Sequence, residues 1–277
     1  MGKKAWLNQE RYVFECPQCR RQTAPTTGTI MHRSHVPIQE WFWAAYLVST
    51  HTPGISALQL QRPLGIGGDQ HAWHLLHRLR KGMVNDNRTK RSGLVAVDEP
   101  HIGGPVKGKK GRGVAAGAPT SLVAGAVEVL GYTDVQGKRR ERAGRLRLAP
   151  MADASGMALG AFLTLHVEGG STVRTDGWRG DSESALEEYQ HPIRVVGDPR
   201  QAARRVPHIH RVFSNLKAWL NGTPHGVEPK PLPSYLDELV FRFNRRKTPM
   251  AAFQTWLGIS AQKSPLSLIA LLSPESK

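Results

Sequence analysis

Two short apolar runs in this chain each end on an aspartate: Leu94-Val95-Ala96-Val97 leads into Asp98, and Ser171-Thr172-Val173-Arg174-Thr175 into Asp176. A run of β-branched and small apolar residues reads as a buried strand, so a carboxylate at its end must be paired, solvated or bound to a metal. Two such ends on neighbouring strands would make a cation site. Glu99 follows Asp98 directly, and strand alternation points it to the opposite side.

Further strands are expected at 121–129 and 145–151, separated by a basic turn holding Lys138, Arg139, Arg140 and Arg142, and at Ile193–Val196. Helical periodicity marks 155–166, where Ala158, Leu159, Phe162, Leu163 and Leu165 suit one broad apolar face, and 207–220, where Ile209, Val212, Phe213, Leu216 and Leu220 share one. Three strands joined by loops imply an antiparallel meander, whereas strand, helix, strand implies a right-handed parallel crossover. The expected fold class is therefore α/β: a mixed sheet in the ribonuclease H-like order β-β-β-α-β-α-β-α. In that order the fourth strand returns beside the first, which sets Asp98 next to Asp176.

Charge narrows the chemistry. The 277-residue chain carries 38 Lys+Arg against 22 Asp+Glu, a net charge of +16. Such an excess fits a protein that displaces counterions from phosphates. Hard Mg²⁺, or Mn²⁺ where nitrogen joins the ligands, suits carboxylates on separate elements, and a two-metal site clamps the attacking and leaving oxygens of a phosphoryl displacement. On the 207–220 helix, His210 and Lys217 lie two turns apart, on one stripe with Ser214. His210 could supply a third ligand and Lys217 a phosphate contact about 10 Å further along.

Four segments separate by composition: a head at 1–36, a helical segment at 37–91, the strand-rich body at 92–250 and a tail at 251–277. The helical segment reads as helices at 37–48, 55–62 and 69–83, the second broken at Pro63, in a helix-turn-helix outline. Trp73, Leu76, Leu79 and Met83 form the apolar face of the third helix, leaving His77, Arg78, Arg80 and Lys81 elsewhere, the three cations as DNA contacts. The loop at 103–120 holds six glycines with Lys107, Lys109, Lys110 and Arg112, a composition able to wrap a phosphate backbone.

Cys16 and Cys19 are the only cysteines, so a disulfide framework is excluded. Met1–Trp6 lacks the apolar core of a secretion leader, and the longest apolar stretches fall far short of a bilayer span. A cytoplasmic protein is expected, without a membrane partner.

Taken in order, several motifs resemble those of one family: Val97-Asp98-Glu99 with Ile102-Gly103-Gly104, Ala152-Asp153-Ala154-Ser155-Gly156, and Thr175-Asp176-Gly177-Trp178. They continue with His210–Lys217, His225-Gly226-Val227, and Tyr235–Glu238 running into Phe241–Arg246. The chain thereby resembles the DDE transposases of bacterial insertion sequences, the IS1595 family with its ISXO2-like domain. The resemblance implies DNA end cleavage and strand transfer. Asp98 and Asp176 would be the first two acidic ligands and Lys217 the basic residue two turns beyond the third, with Arg245 and Arg246 as further DNA contacts. The chain departs from the pattern at the third acidic position, which is His210. It departs again at the head, where Cys16-Pro17-Gln18-Cys19 resembles one knuckle of a zinc ribbon. A structural Zn²⁺ needs four ligands, no first CxxC precedes, and His32 and His35 could complete the site only by an atypical route. A truncated start is the expectation. DNA, in the form of terminal repeats and target, is the expected partner, with a homo-oligomer assembled on it in the bacterial nucleoid. The alternative is a remnant that binds DNA without cutting it.

Overall fold

The computed structural model describes residues 6–8, 13–51, 54–102, 121–175, 186–190, 205–222 and 231–265. At the head, β1 (Trp6–Asn8), β2 (Val13–Glu15) and β3 (Gln22–Thr23) make a small antiparallel sheet. Three helices follow. Helix α1 (Ile38–Thr50) buries Trp41, Ala44, Ala45 and Val48, and α2 (Ala57–Leu64) opens on a capping box in which Ser56 and Gln59 satisfy each other's backbone N–H groups. Helix α3 spans Asp69–Lys81. Pro63 does not break α2, as the sequence had suggested. It stands in the last turn, where its missing N–H removes one hydrogen bond, and the helix stops at Gly65 in the left-handed region at φ 59°.

The central sheet is mixed. Its strands are β4 (Leu94–Asp98), β5 (His101–Ile102), β6 (Ser121–Thr133), β7 (Arg139–Met151) and β8 (Thr172–Arg174). Strand β6 pairs antiparallel with β4, β5 and β7, whereas β8 lies parallel to β4 in the register Leu94↔Thr172, Val95↔Val173, Ala96↔Arg174. The strand that opens at Leu94 stops at Asp98, and β5 begins only at His101, because Pro100 has no N–H to give the ladder. The basic turn is also corrected. Arg139, Arg140 and Arg142 belong to β7, whose outer half is exposed on both faces and so needs no apolar alternation, and only Lys138 stays in the turn. The strand expected at Ile193–Val196 lies outside the described residues.

Helices cover both faces of the sheet. On one side α4 (Gly156–His166), capped by the Ser155 hydroxyl, packs Leu159, Phe162 and Leu163 against Val95, Val97, Ala124, Ala126 and Val173. On the other, α5 (Pro207–Gly222) and α6 (Leu232–Asn244) pack Ile209, Val212, Phe213, Leu216 and Leu236 against Ala96, Val127, Leu146 and Leu148. The alternation of β4 thus assigns Ala96, and with it Asp98, to the α5 face. At the exposed side of β7, the Asn244 side chain accepts from the Leu146 N–H at 2.7 Å and donates to its carbonyl at 3.1 Å, mimicking a neighbouring strand.

A second core joins α1–α3 to α7 (Pro249–Ser260), within the segment expected as a tail. Trp256 is fully buried there and donates its Nε1–H to the Leu79 carbonyl at 3.0 Å. The polar stripe of α3 also turns inward. Arg80 is 2% exposed and pairs with the fully buried Glu238 at 2.7 Å, and its guanidinium lies 3.8 Å from the Tyr235 ring centre. His77 packs beside it, and burial, followed by the nearby Arg80 charge, pushes its pKa down from 6.5 to about 3. A histidine held neutral in the fold but free to protonate when unfolded contributes stability above pH 6.5 that is lost as pH falls toward 3. Urea denaturation at stepped pH will show that loss, and His77→Gln will flatten it. Glu238→Ala, which leaves two buried guanidinium groups without their carboxylate, should cost about 3–5 kcal/mol by the same measurement.

Candidate active site

Asp98 closes β4, and its Oδ1 accepts the Glu99 N–H at 3.0 Å, which fixes the carboxylate against the strand end. Across from it, the first turns of α5 bring His210 Nδ1 to 3.5 Å from Asp98 Oδ2. That approach depends on Gly125, the β6 residue paired with Asp98. A Cβ on Gly125 would stand 2.7 Å from Phe213 Cζ and 2.9 Å from both Ile209 Cδ1 and Leu148 Cδ2. The missing side chain is what lets α5 settle onto the sheet beside Asp98. Residues 209 and 213 flank His210, so the helix cannot rise off Gly125 without withdrawing the imidazole.

The imidazole has a second nitrogen to offer. His210 Nε2 is buried and has no hydrogen-bond partner among the described residues. Nδ1 faces the carboxylate, and Nε2, which diverges from it across the ring, is left as a borderline nitrogen donor of the kind a divalent cation takes. Among the described residues no three His, Cys, Asp or Glu side chains gather as a metal-holding group. Asp176 lies outside the described residues. On the same stripe the Ser214 hydroxyl donates to the His210 carbonyl at 2.9 Å, and Lys217 is exposed further along α5.

Beside this pair runs an ionic cluster that sequence reasoning missed, because it joins residues of three elements. Arg174 of β8 reaches Glu141 of β7 at 3.3 Å, and Glu141 lies 3.9 Å from His208 Nε2 on α5. Burial pushes the His208 pKa down, Glu141 opposes that shift, and the Arg211 and Arg174 charges add to it.

The other residues singled out in the sequence are dispersed. Cys16 and Cys19 occupy the tight turn after β2, where Arg20 N–H donates to the Cys16 carbonyl at 2.8 Å. Backbone N–H groups of Cys19 and Gln18, then the Cys19 side chain, lower the Cys16 thiol pKa. No third ligand joins them among the described residues. Arg80 is removed from the DNA-contact set by its burial against Glu238. Arg78 is half-buried and donates to the His32 carbonyl at 3.2 Å, and Lys81 is partly buried at the end of α3. Arg245 and Arg246 stack over Phe241 and Phe243 at 4.1 and 3.9 Å. Lys107, Lys109, Lys110 and Arg112 lie outside the described residues. No described helix is long and apolar enough to cross a membrane.

Residues 90–244 match the family model described as the ISXO2-like transposase domain. No curated protein and no solved structure matches the chain. The match opens just before β4 and closes at the end of α6, so it encloses the sheet, Asp98 and the helix that carries His210. Gly125→Val should overpack the α5–sheet contact by about 1–3 kcal/mol in urea denaturation, while Gly131→Val, at a glycine of the same strand with open space around it, should cost clearly less.

Proposed function

The chain belongs to the ISXO2-like transposase family, and from that premise we propose that it cuts the ends of an insertion sequence and joins them to target DNA. Asp98, Asp176 and His210 are the residues proposed to hold Mg²⁺ or Mn²⁺, on a sheet of ribonuclease H-like order. The carrying observation is the approach of His210 Nδ1 to 3.5 Å from Asp98 at the end of β4. Register supports Asp176 as the third member. Ala96 pairs with Arg174, and each aspartate stands two residues further along its own chain.

A divalent cation bound there would supply Lewis-acid stabilisation of the charge that builds on the phosphoryl oxygens. The rest falls to this chain's own groups. The Asp98 carboxylate, pinned by the Glu99 N–H, orients His210 so that Nε2 stays available. Lys217, about 10 Å along the helix, would take a phosphate of the scissile strand and fix the phosphodiester in line for attack. Water attacks first and frees a 3′-hydroxyl at the element end. That hydroxyl then attacks a target phosphodiester, forming the new bond as the target 3′-oxygen leaves. Two ends must be held together for the joining, so two copies on DNA, in the cytoplasm, complete the proposal.

The same assay addresses the rival reading, a DNA-binding remnant, which the two-cysteine head favours because no further ligand joins Cys16 and Cys19 among the described residues. With end-labelled oligonucleotides carrying the element ends, the parent should cleave in Mg²⁺ or Mn²⁺. Asp98→Ala and Asp176→Ala should each lose at least about 100-fold, the several kcal/mol that metal stabilisation supplies, with DNA affinity little changed. Undiminished cleavage by both variants overturns the catalytic assignment. Binding by the parent without any cleavage favours the remnant. His210→Ala and His210→Glu belong beside them, and unchanged activity in both removes His210 from the ligand set.

A further inference from the structure

On the far side of α5 from the His210 stripe lies a cleft of about 790 Å³, walled by the end of α1, the outer half of β7, and α5 and α6. Among the described residues six cations line it, Arg142, Arg211, Arg242, Arg245, Arg246 and Lys247, of which Arg242 is paired with the buried Glu238, and the lining holds one carboxylate, Glu141, which Arg174 already engages. Its floor is apolar, with Val212, Trp219, Leu239 and Phe243. Two of its lining residues carry buried donors without acceptors among the described residues, Trp219 Nε1 and Arg242 Nη2. They converge: a Cβ on Gly54 would collide with the first and stand 2.9 Å from the second.

A cationic rim over an aromatic and aliphatic floor is how proteins hold unpaired nucleic acid, phosphates on the rim and base faces on the floor. The volume lies within the roughly 300–1,000 Å³ of small-ligand sites, room for about two nucleotides and too little for a duplex. The geometry points to a binding site for a short single-stranded segment of DNA, separate from the Asp98–His210 pair but carried by the same helix. The inference rests on the reading of the chain as a DNA-processing protein. It adds that the protein holds an unpaired strand while the candidate active site holds the scissile one. His208 and Arg211, on either side of His210 in sequence, both line the cleft, so the two sites are one helix face apart.

The test is fluorescence anisotropy on the full chain in EDTA, so that cleavage plays no part and a failed catalytic assignment leaves the outcome untouched. The probes are an oligo(dT) of about 12 residues, inside the roughly 4–16-nucleotide range of strand-binding sites, and a random duplex. The variant is Arg142→Ala/Arg211→Ala/Lys247→Ala, three exposed side chains on the rim. It should weaken oligo(dT) binding by about tenfold or more and reduce the slope of log K against log[salt] by about two units, at roughly 0.7 per phosphate contact. Duplex affinity should change by less than about twofold. Unchanged oligo(dT) binding, or an equal loss on duplex, would overturn the assignment.

Discussion

A carboxylate with no solvent exposure holds the two halves of this molecule in register. Glu238 receives Arg80 from α3 at 2.7 Å and Arg242, one turn along α6, at 3.1 Å. Taking three charges out of water costs several kcal/mol per ion, and the mutual attraction of two cations and one anion offsets it only when the geometry is fixed. The surroundings supply that fixity. Tyr235 stacks on Arg80, and His77, kept neutral, adds no further positive charge beside it. Apolar helix faces can slide by a turn at small cost, whereas these three charges meet in one alignment only. The α1–α3 and α7 core is therefore locked to α6, and α6 in turn to the sheet through Asn244 on β7.

The candidate site inherits its geometry from that frame. Asp98 is oriented by a strand end, His210 by a helix, and the gap between them is set by the absence of a side chain at Gly125. Interiors are packed densely enough that one methyl group at this contact would be felt along the whole helix. Position, more than the identity of the ligands, is what the fold contributes here. A histidine and an aspartate are commonplace pairings. A histidine whose second nitrogen is left buried without a partner beside that aspartate is not.

Much of this was legible from the sequence where local signals decide. The helices at 37–48 and 155–166 follow from their composition and periodicity, and the period of 207–220 marks both the helix and its buried face. The parallel return of a strand to the side of β4 followed from connection rules. What escaped depends on partners distant in the chain. Periodicity shows that α3 has a charged stripe but not that the stripe faces Glu238, 158 residues away. The charged alternation of 139–145 looks like a turn until β6 is known to project equally far beyond the sheet, and the helix 249–260 carries Met250, Phe253, Trp256, Leu257 and Ile259 around its circumference, so no single face declares that Trp256 is its anchor. Glu141 and Arg174 meet only because a long hairpin folds over α5.

Guanidinium groups that leave bulk water are held in two ways. Arg91 pairs with Glu128 and Arg147 donates to the Thr89 carbonyl, whereas four others lie against rings: Arg80 on Tyr235, Arg242 on Trp219, Arg245 on Phe241 and Arg246 on Phe243. Stacking offers a planar, weakly hydrated cation an attractive surface at little desolvation cost, which lysine could not match. Three of these arginines lie in the last turns of α6 or just beyond, where the helix dipole also favours positive charge, and Arg246 donates to the Phe243 and Ala143 carbonyls. Their heads are thus held at the cleft before any anion arrives, and the entropy of ordering them has been met by folding. A chain of +16 would otherwise repel itself at such a cluster. Arg242 is held by Glu238, but Arg245 and Arg246 are ordered by rings and carbonyls instead of by carboxylates, which leaves their charge for an acidic ligand to neutralise.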